Sequence, residues 1–274
     1  ITLKLEYKIN NQKHSVIFCK KNRISNIVKS LNKIQSDKNV LFIYDKKIDK
    51  KIVENVFDEL KLTGSNLLKI ECEGDKLNKN EKLLFKILDV LLVNNFTKRS
   101  IVISFGGGVI GDVSALASSL YLRGLNYVCI PTTMTAIVDS SIGGKTAINY
   151  KGVINSVGTY YHPKNVFILE DIISSLPDRE FISGLAEIIK CGLIDRNKIL
   201  KYLIKNRKNI FSREFKHIKT LCEFTLKTKI KYFKNDIYEK NERLYLNFGH
   251  TFAHAIEMAI EKNSKRDLIR HGEA

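Results

Sequence analysis

The sequence predicts an α/β N-terminal domain with a mainly parallel sheet, followed by an α-helical domain. In the first half, strand-like apolar runs alternate with helix-like segments, the pattern of a parallel sheet with helices on both faces. Beyond Leu176-Pro177, segments with a periodicity of about 3.6 residues replace the strand-like runs. We therefore expect an α/β domain at 1–172, a helical domain at 173–274 and a ligand cleft between them.

The individual elements follow from the spacing of apolar residues. TLKLEYKI alternates as a half-buried strand does, and Asn10-Asn11 marks a turn before HSVIFCK. Short apolar runs such as LFIY are typical of strands buried on both faces. The further predicted strands are Leu41–Tyr44, Leu67–Cys72, Ile101–Phe105 and 127–131, and the predicted helices are 50–61, 80–95 and 113–122. In the second half the helical segments are GLAEIIKCGLI, KILKYLIKN, HIKTLCEFTLKTKIKYF and FGHTFAHAIEMAIE.

Composition limits the classes of protein that fit. The 274 residues are 44% hydrophobic, enough for a sizeable core, and no apolar run reaches the about 18 residues of a membrane span. Five scattered cysteines indicate free thiols, and with no secretory leader we expect a cytoplasmic protein. The net charge of +17 leaves nucleic-acid binding open, but lysines at 198–234 recur between apolar residues as on a solvated helix face. We favour the solvated face and a small anionic substrate, without nucleic acid or membrane.

A glycine-rich turn follows the predicted strand Ile101–Phe105. Gly106, Gly108 and Gly111 match GxGxxG, in which glycines allow close backbone approach and a helix N-terminus favours phosphate. The acidic residue that a dinucleotide fingerprint expects about 20 positions later is absent. The motif therefore indicates a pyrophosphate-binding turn of another α/β fold.

A second glycine-containing turn spans 139–145. Gly144-Lys145-Thr146 resembles a P-loop, but position 139 is Asp where that motif requires Gly. The segment is a polar, flexible turn that could hold hydroxyls and an anion, with an ordinary surface loop as the alternative.

Three helical positions suggest a metal site or acid–base chemistry. His250, His254 and Glu257 fall on one helix face, where two imidazoles and a carboxylate suit a divalent metal or proton transfer. Histidines that are merely packed or solvated are the alternative. Glu187 shares a helix face with Lys190 at i, i+3, as a surface ion pair or as part of a cleft. With His271-Gly272-Glu273 the chain offers the one Glu and two His of a catalytic zinc site.

Together these motifs form an ordered series that resembles the 3-dehydroquinate synthase family, from about Asp45 to the end. The series is GGGVIGD (106–112), YLRG (121–124), PTT (131–133), VDSSIGGKTAIN (138–149), LPDRE (176–180), GLAEIIK (184–190), NFGHTFAHAIE (247–257) and HGEA (271–274). The resemblance implies an NAD- and metal-dependent carbon–oxygen lyase of the shikimate pathway. Such enzymes convert 3-deoxy-D-arabino-heptulosonate 7-phosphate to 3-dehydroquinate and phosphate by transient oxidation, phosphate elimination, reduction and aldol cyclisation.

The resemblance also assigns residues by motif. Glu187, His250 and His271 are implied as ligands of Zn(II), or of Co(II). The residues implied to bind NAD are Asp45, Asp75, Gly107, Gly108, Val109, Ile110, Gly111, Asp112, Thr132, Thr133, Lys145, Asn155 and Ser175. Those implied to surround the substrate are Arg123, Asp139, Lys190, Lys229, Glu239, Arg243, Asn247 and His254. A homodimer is implied as well.

Some positions depart from the family pattern. Ile154 replaces a lysine near cofactor and substrate, and Lys79 comes one place late in the family's Gly-Glu-x-x-Lys. Ile1 is not an initiator Met, and the family continues beyond Ala274, so we expect a truncated sequence. Two alternatives stay open: a related sugar-phosphate cyclase with another substrate, which GGKTAIN disfavours, and an impaired paralogue that binds or scaffolds without catalysis.

Overall fold

A seven-stranded sheet is the centre of the fold. The computed structural model describes residues 3–20, 39–62, 64–195, 198–264 and 269–274. The strands are β1 (Lys4–Ile9), β2 (Gln12–Cys19), β3 (Asn39–Asp45), β4 (Asn66–Cys72), β5 (Ile101–Gly106), β6 (Asn126–Pro131), β7 (Lys145–Tyr150), β8 (Val153–Tyr160) and β9 (Asn165–Leu169). The order is β1-β2-β9-β6-β5-β3-β4, with only the β1–β2 pair antiparallel, whereas β7 and β8 form a separate antiparallel hairpin. The predicted mainly parallel sheet is confirmed.

Helices cover both faces of this sheet and also make up most of the chain after β9. They are α1 (Lys50–Lys61), α2 (Glu81–Val93), α3 (Gly108–Leu120), α4 (Glu170–Ser175), α5 (Asp178–Ile194), α6 (Lys198–Lys205), α7 (Arg207–Phe211), α8 (Phe215–Phe233) and α9 (His250–Ser264). On one face α1 packs through Val53 and Leu60 against Ile103. On the other, α2 and α3 pack through Ile87 and Val113. This burial explains why the central strands carry apolar residues almost without interruption.

The structure corrects the predicted start of α3. That helix begins at Gly108 rather than at 113, so the glycine motif forms its first turn, with Gly107 as an extended N-cap. Glycine has low helix propensity, and the sequence therefore favoured a loop here. A Cβ on Gly107 would lie 3.1 Å from Thr133 Cγ2, and a Cβ on Gly106 2.6 Å from Ile110 Cβ. Close packing, which is tertiary information, requires small residues at this helix start.

The polar turn predicted for 139–145 is partly regular structure. A π-helical turn, Ala136–Ser140, contains Asp139, and Lys145 already begins β7. The hairpin of β7 and β8 was not predicted, because most side chains of β8 are exposed and give no alternating pattern. Between these elements Gly143 (φ +93°) and Gly144 (φ +71°) take the left-handed conformation that glycine favours.

The second half is helical, as predicted. After β9 ends at Leu169, the described residues form helices and short 3-10 turns, including Glu242–Asn247 and His271–Glu273. Phe233 of α8 packs edge-on against Tyr7 of β1, with ring centroids 5.5 Å apart, which joins the two halves. The division at 172/173 stays a prediction. Across the described ranges, none of the helices combines the length and apolarity that a membrane span requires.

Candidate active site

A cleft of about 850 Å³ lies between the α/β half and the helical half. The start of α3 and the Asp139 turn contribute to one side, and α5, α8 and α9 to the other. Because the glycine motif follows the carboxyl end of β5, the cleft lies where α/β sheets usually bind ligands. Fifteen of the predicted site residues line it: Gly108, Val109, Asp112, Thr133, Asp139, Lys145, Asn155, Lys190, Lys229, Glu239, Arg243, Asn247, His250, His254 and His271.

Glu187, His250 and His271 converge beside this cleft. His271 Nε2 lies 3.3 Å from Glu187 Oε1 and 3.3 Å from His250 Nε2, and the third separation, His250 Nε2 to Glu187 Oε1, is 3.9 Å. The same three atoms form all three contacts, so they make a nearly closed triangle. Side chains that are far apart in the sequence are thus brought together as the resemblance implied.

Local structure holds each corner of the triangle. Glu187 is buried on α5, whose Gly184 packs against Met134, where a Cβ would lie 2.3 Å from the methionine Cβ. His250 is the first residue of α9. His271 lies in the final 3-10 turn, which docks on α5 because the Gly272 amide donates to Ser183 Oγ at 3.0 Å.

Alternating charges extend from the triangle into the cleft. Lys190 pairs with Glu187, and Lys229 Nζ lies 2.5 Å from Asp139 Oδ1. Burial opposes ionisation of Asp139, but Lys229 and Lys190 outweigh burial and hold the pKa of Asp139 below its usual range. For Lys190, burial is likewise outweighed by Asp139 and Glu187, so its pKa is raised. Both groups therefore stay charged.

The histidines differ in electrostatic environment. Hydrogen bonds with Glu187 and Glu257 raise the pKa of His271 to about 10. Burial lowers the pKa of His254, so that this imidazole is neutral near pH 7. Burial and then Lys190 lower the pKa of His250. A neutral His254 facing the cleft is able to accept a proton.

Further charged and amide side chains line the cleft, among them Arg243, Lys145, Glu239 and Asn247. Arg243 is buried and donates to Ile237 O at 2.6 Å and to Gly143 O at 2.7 Å. Glu239 pairs with Lys145 and accepts from Asn247 Nδ2 at 3.0 Å. Lysine and arginine side chains here suit phosphate or carboxylate groups.

The α3 side of the cleft fits a nucleotide. Gly108 and Val109 line it at a helix N-terminus, where backbone N–H groups favour phosphate. Lys79 reaches Asp112 Oδ2 and Asn155 Oδ1, both at 2.6 Å. Burial raises the pKa of Asp112 despite Lys79.

Other predicted residues do not line this cleft. Gly107 and Gly111 line a small neighbouring cavity, and Ile110 is buried in the core. Arg123 is exposed on the turn after α3, in left-handed conformation (φ +64°). Asp45, Asp75, Thr132 and Ser175 are absent from the cleft lining, and their predicted roles stay predictions. Asp75 accepts from Asn78 N at 3.0 Å, and Ser175 Oγ donates to Ile172 O at 3.1 Å.

Sequence reasoning missed several lining residues. Lys76, Lys79, Arg270 and Glu180 all line the cleft, and Arg270 pairs with Glu180 across the helical half. Lys79 and Glu180 fall in segments compared with the family, Gly-Glu-x-x-Lys and LPDRE, although no site role was assigned to either, whereas Lys76 and Arg270 carry no motif signal. Glu257 also lines the cleft, and its place on the His250 helix face was the one sequence signal for it.

Comparison with known proteins assigns the family. The models of the 3-dehydroquinate synthase N-terminal and C-terminal domains match residues 69–183 and 184–274. The 3-dehydroquinate synthase of Pelagibacter ubique (strain HTCC1062) is 38% identical over 277 residues, covering 99% of this chain and 73% of that protein. That of Dictyoglomus thermophilum is 42% identical over 201 residues, covering 73% and 55%.

Solved structures agree with this assignment. A crystal structure of 2-deoxy-scyllo-inosose synthase complexed with carbaglucose-6-phosphate, NAD+ and Co2+ superposes with a TM-score of 0.85 at 25% identity, covering 98% of this chain and 73% of that one. The fold is therefore that of a sugar-phosphate cyclase. Within that class, the matched domain models and curated relatives show that the chain belongs to the 3-dehydroquinate synthase family. The sequence-based identification of the family is confirmed.

Proposed function

We propose that this chain is a 3-dehydroquinate synthase that converts 3-deoxy-D-arabino-heptulosonate 7-phosphate to 3-dehydroquinate and phosphate, as a carbon–oxygen lyase. The observation that carries the proposal is the triangle of Glu187, His250 and His271. Ligand atoms bonded at about 2.0–2.1 Å to a tetrahedral zinc ion lie about 3.3–3.4 Å apart. Two of the three separations are 3.3 Å and the third is 3.9 Å. Two imidazoles and one carboxylate also leave a coordination position open for substrate.

The donor set supports Zn(II) or Co(II) as the metal, held by the three triangle residues. The start of α3 supports NAD binding. A Cβ on Gly107 would lie 3.1 Å from Thr133 Cγ2, and a Cβ on Gly108 would lie 3.3 Å from Ser140 Oγ, so the backbone here is free of side chains and a ligand could approach it closely. When bound, NAD supplies reversible oxidation of a substrate hydroxyl, and the metal supplies polarisation of that hydroxyl.

The chain's own residues bind the substrate and handle protons. Arg243, Lys229 and Lys190 lie around the cleft and would face the carboxylate and phosphate groups of the substrate. His254 is placed one helical turn after His250, and its lowered pKa suits removal of a proton from a hydroxyl. Asp139 would keep Lys229 oriented through their 2.5 Å ion pair.

A related cyclase activity is the second candidate, because the 2-deoxy-scyllo-inosose synthase structure holds a carba-sugar phosphate in the same fold. The curated relatives favour the first candidate, because they carry the name 3-dehydroquinate synthase. Product analysis with heptulosonate phosphate and with sedoheptulose 7-phosphate separates the two candidates. The homodimer and the cytoplasmic location stay predictions.

Metal removal tests the proposal. Phosphate release from heptulosonate phosphate in the presence of NAD should cease after chelator treatment and return with Zn(II) or Co(II). His250→Ala should abolish metal uptake, whereas His254→Ala should retain the metal and slow turnover. Equal metal loss in both variants would contradict the assigned roles, and absent turnover in the metal- and NAD-loaded protein would favour a non-catalytic paralogue.

A further inference from the structure

Glu257 contacts the side of His271 that faces away from the triangle. The carboxylate is buried on α9, and its Oε1 lies 3.3 Å from His271 Nδ1. The other ring nitrogen, Nε2, is the atom that faces Glu187 and His250. A neutral imidazole carries its proton on one nitrogen, and the acceptor beside Nδ1 selects the form protonated there.

Lys76 contacts the same carboxylate oxygen from the other half of the molecule. Its Nζ lies 3.1 Å from Glu257 Oε1. Lys76 begins the 3-10 turn Lys76–Asn78, between β4 and α2, whereas Glu257 belongs to the helical half. The Glu257 side chain is 7% exposed and that of Lys76 31%, so water screens this ion pair only in part.

We propose that Glu257 is a positioning residue for the metal site, and that Lys76 holds Glu257 in place. Glu257 accepts the Nδ1–H of His271 and so directs the Nε2 lone pair into the triangle. Lys76 fixes the carboxylate, which links the loop after β4 to the metal-binding residues across the cleft. Carboxylates that accept from a metal-binding histidine orient the ring and strengthen metal binding. The inference rests on the proposed function, since it assumes a metal at the triangle.

Glu257 has one rival role. With His254 and His271 it forms a second group whose ligand atoms lie within 4.8 Å of one another, so Glu257 could be a ligand. The Lys76 ammonium argues against that role, because it lies 3.1 Å from Oε1 of the same carboxylate. A metal cation and an ammonium at one carboxylate repel each other.

Metal titration of the full chain tests the proposal. Apo protein prepared with a chelator is titrated with Co(II), followed by isothermal calorimetry and by visible absorption. Glu257→Ala should weaken Co(II) binding by about 10- to 100-fold. Glu257→Gln should weaken it less, because the amide oxygen still accepts from Nδ1–H. Lys76→Met should weaken it by a few-fold, and should add nothing in the Glu257→Ala background. The energy of the Co(II) absorption band should stay that of the unchanged protein, because the ligands are the same.

Matched controls keep folding and charge effects apart. Glu242→Gln and Lys82→Met change exposed residues of the same types and should leave the affinity unchanged. Far-UV circular dichroism checks that each variant is folded. Affinity retained in both Glu257 variants, while His250→Ala abolishes binding, would overturn the positioning role alone. A shifted absorption band in Glu257→Ala would make Glu257 a ligand and also overturn it. Unchanged binding in His250→Ala would instead refute the proposed metal site.

Discussion

Loss of the ion pair between Asp139 and Lys229 should lower the free energy of unfolding, because one of its two charges is buried. The Lys229 side chain is 9% exposed and that of Asp139 29%, with 2.5 Å between Nζ and Oδ1. Removing one member of a buried pair costs about 3–5 kcal/mol, because the other charge stays buried without its partner. In Asp139→Asn, Lys229 still donates a hydrogen bond to the main-chain oxygen of residue 139, and the side chain at this position is partly exposed. We therefore expect the free energy of unfolding to fall by about 3 kcal/mol, the lower end of that range.

Urea unfolding of the metal-free protein measures this cost. Asp139→Asn and Lys229→Met are compared with the double variant. The double variant should lose less free energy of unfolding than the two single variants lose together, because neither charge of the pair is then left without its partner. Glu223→Gln is the control, since its ion pair with Lys227 (2.6 Å) involves a lysine side chain that is 56% exposed. That change should cost less than about 1 kcal/mol. A cost for Asp139→Asn no larger than that of the control, or additive costs in the double variant, would refute the reasoning.

Two further predictions concern the core around the cleft. Burial lowers the pKa of His162 to about 4, so the unfolded chain takes up a proton first as the pH falls below 6.5. The free energy of unfolding should then decrease by up to about 3 kcal/mol between pH 6.5 and 4. In His162→Phe this decrease should be smaller, and the part that remains should come from His14, whose pKa burial also lowers. If urea titrations give the same pH dependence for His162→Phe as for the unchanged protein, the prediction is wrong. Gly184→Ala should lower the free energy of unfolding by about 1–3 kcal/mol, because the added Cβ would lie 2.3 Å from Met134 Cβ. Gly111→Ala is the control in thermal unfolding, because its added Cβ would lie 3.8 Å from the nearest atom, Tyr127 Oη.

Much of the fold could be predicted because apolar patterning is local information. The strands at Leu41–Tyr44 and Ile101–Phe105 lie within β3 and β5, whose side chains are buried on both faces of the sheet. The start of α3 was placed five residues late, because glycines at 107 and 108 disfavour a helix locally and are required only by neighbours distant in sequence. The strand β8 could not be predicted from apolar patterning for the same reason. Most of its side chains are exposed, and its strand conformation depends on hydrogen bonding to its partner β7.

The site shows the same division between local and distant information. The triangle residues were named because the ordered motifs resemble a family, and in the fold their side chains lie together. Lys76 and Glu257 are 181 positions apart and share no pattern, so only the folded chain reveals their contact. Arg123 was assigned to the substrate, yet it is exposed and does not line the cleft of its own chain.

The packing of Gly272 against α5 controls how the proposed metal site forms. A Cβ at this position would lie 1.9 Å from the carbonyl oxygen of Ser183, so the 3-10 turn that carries His271 fits against α5 only through a glycine. Two corners of the triangle belong to long helices, whereas the third arrives only when this turn has docked. Gly272→Ala should therefore displace His271 and weaken binding of the proposed metal ion while the sheet stays folded. Metal affinity would then report whether this turn is docked on α5.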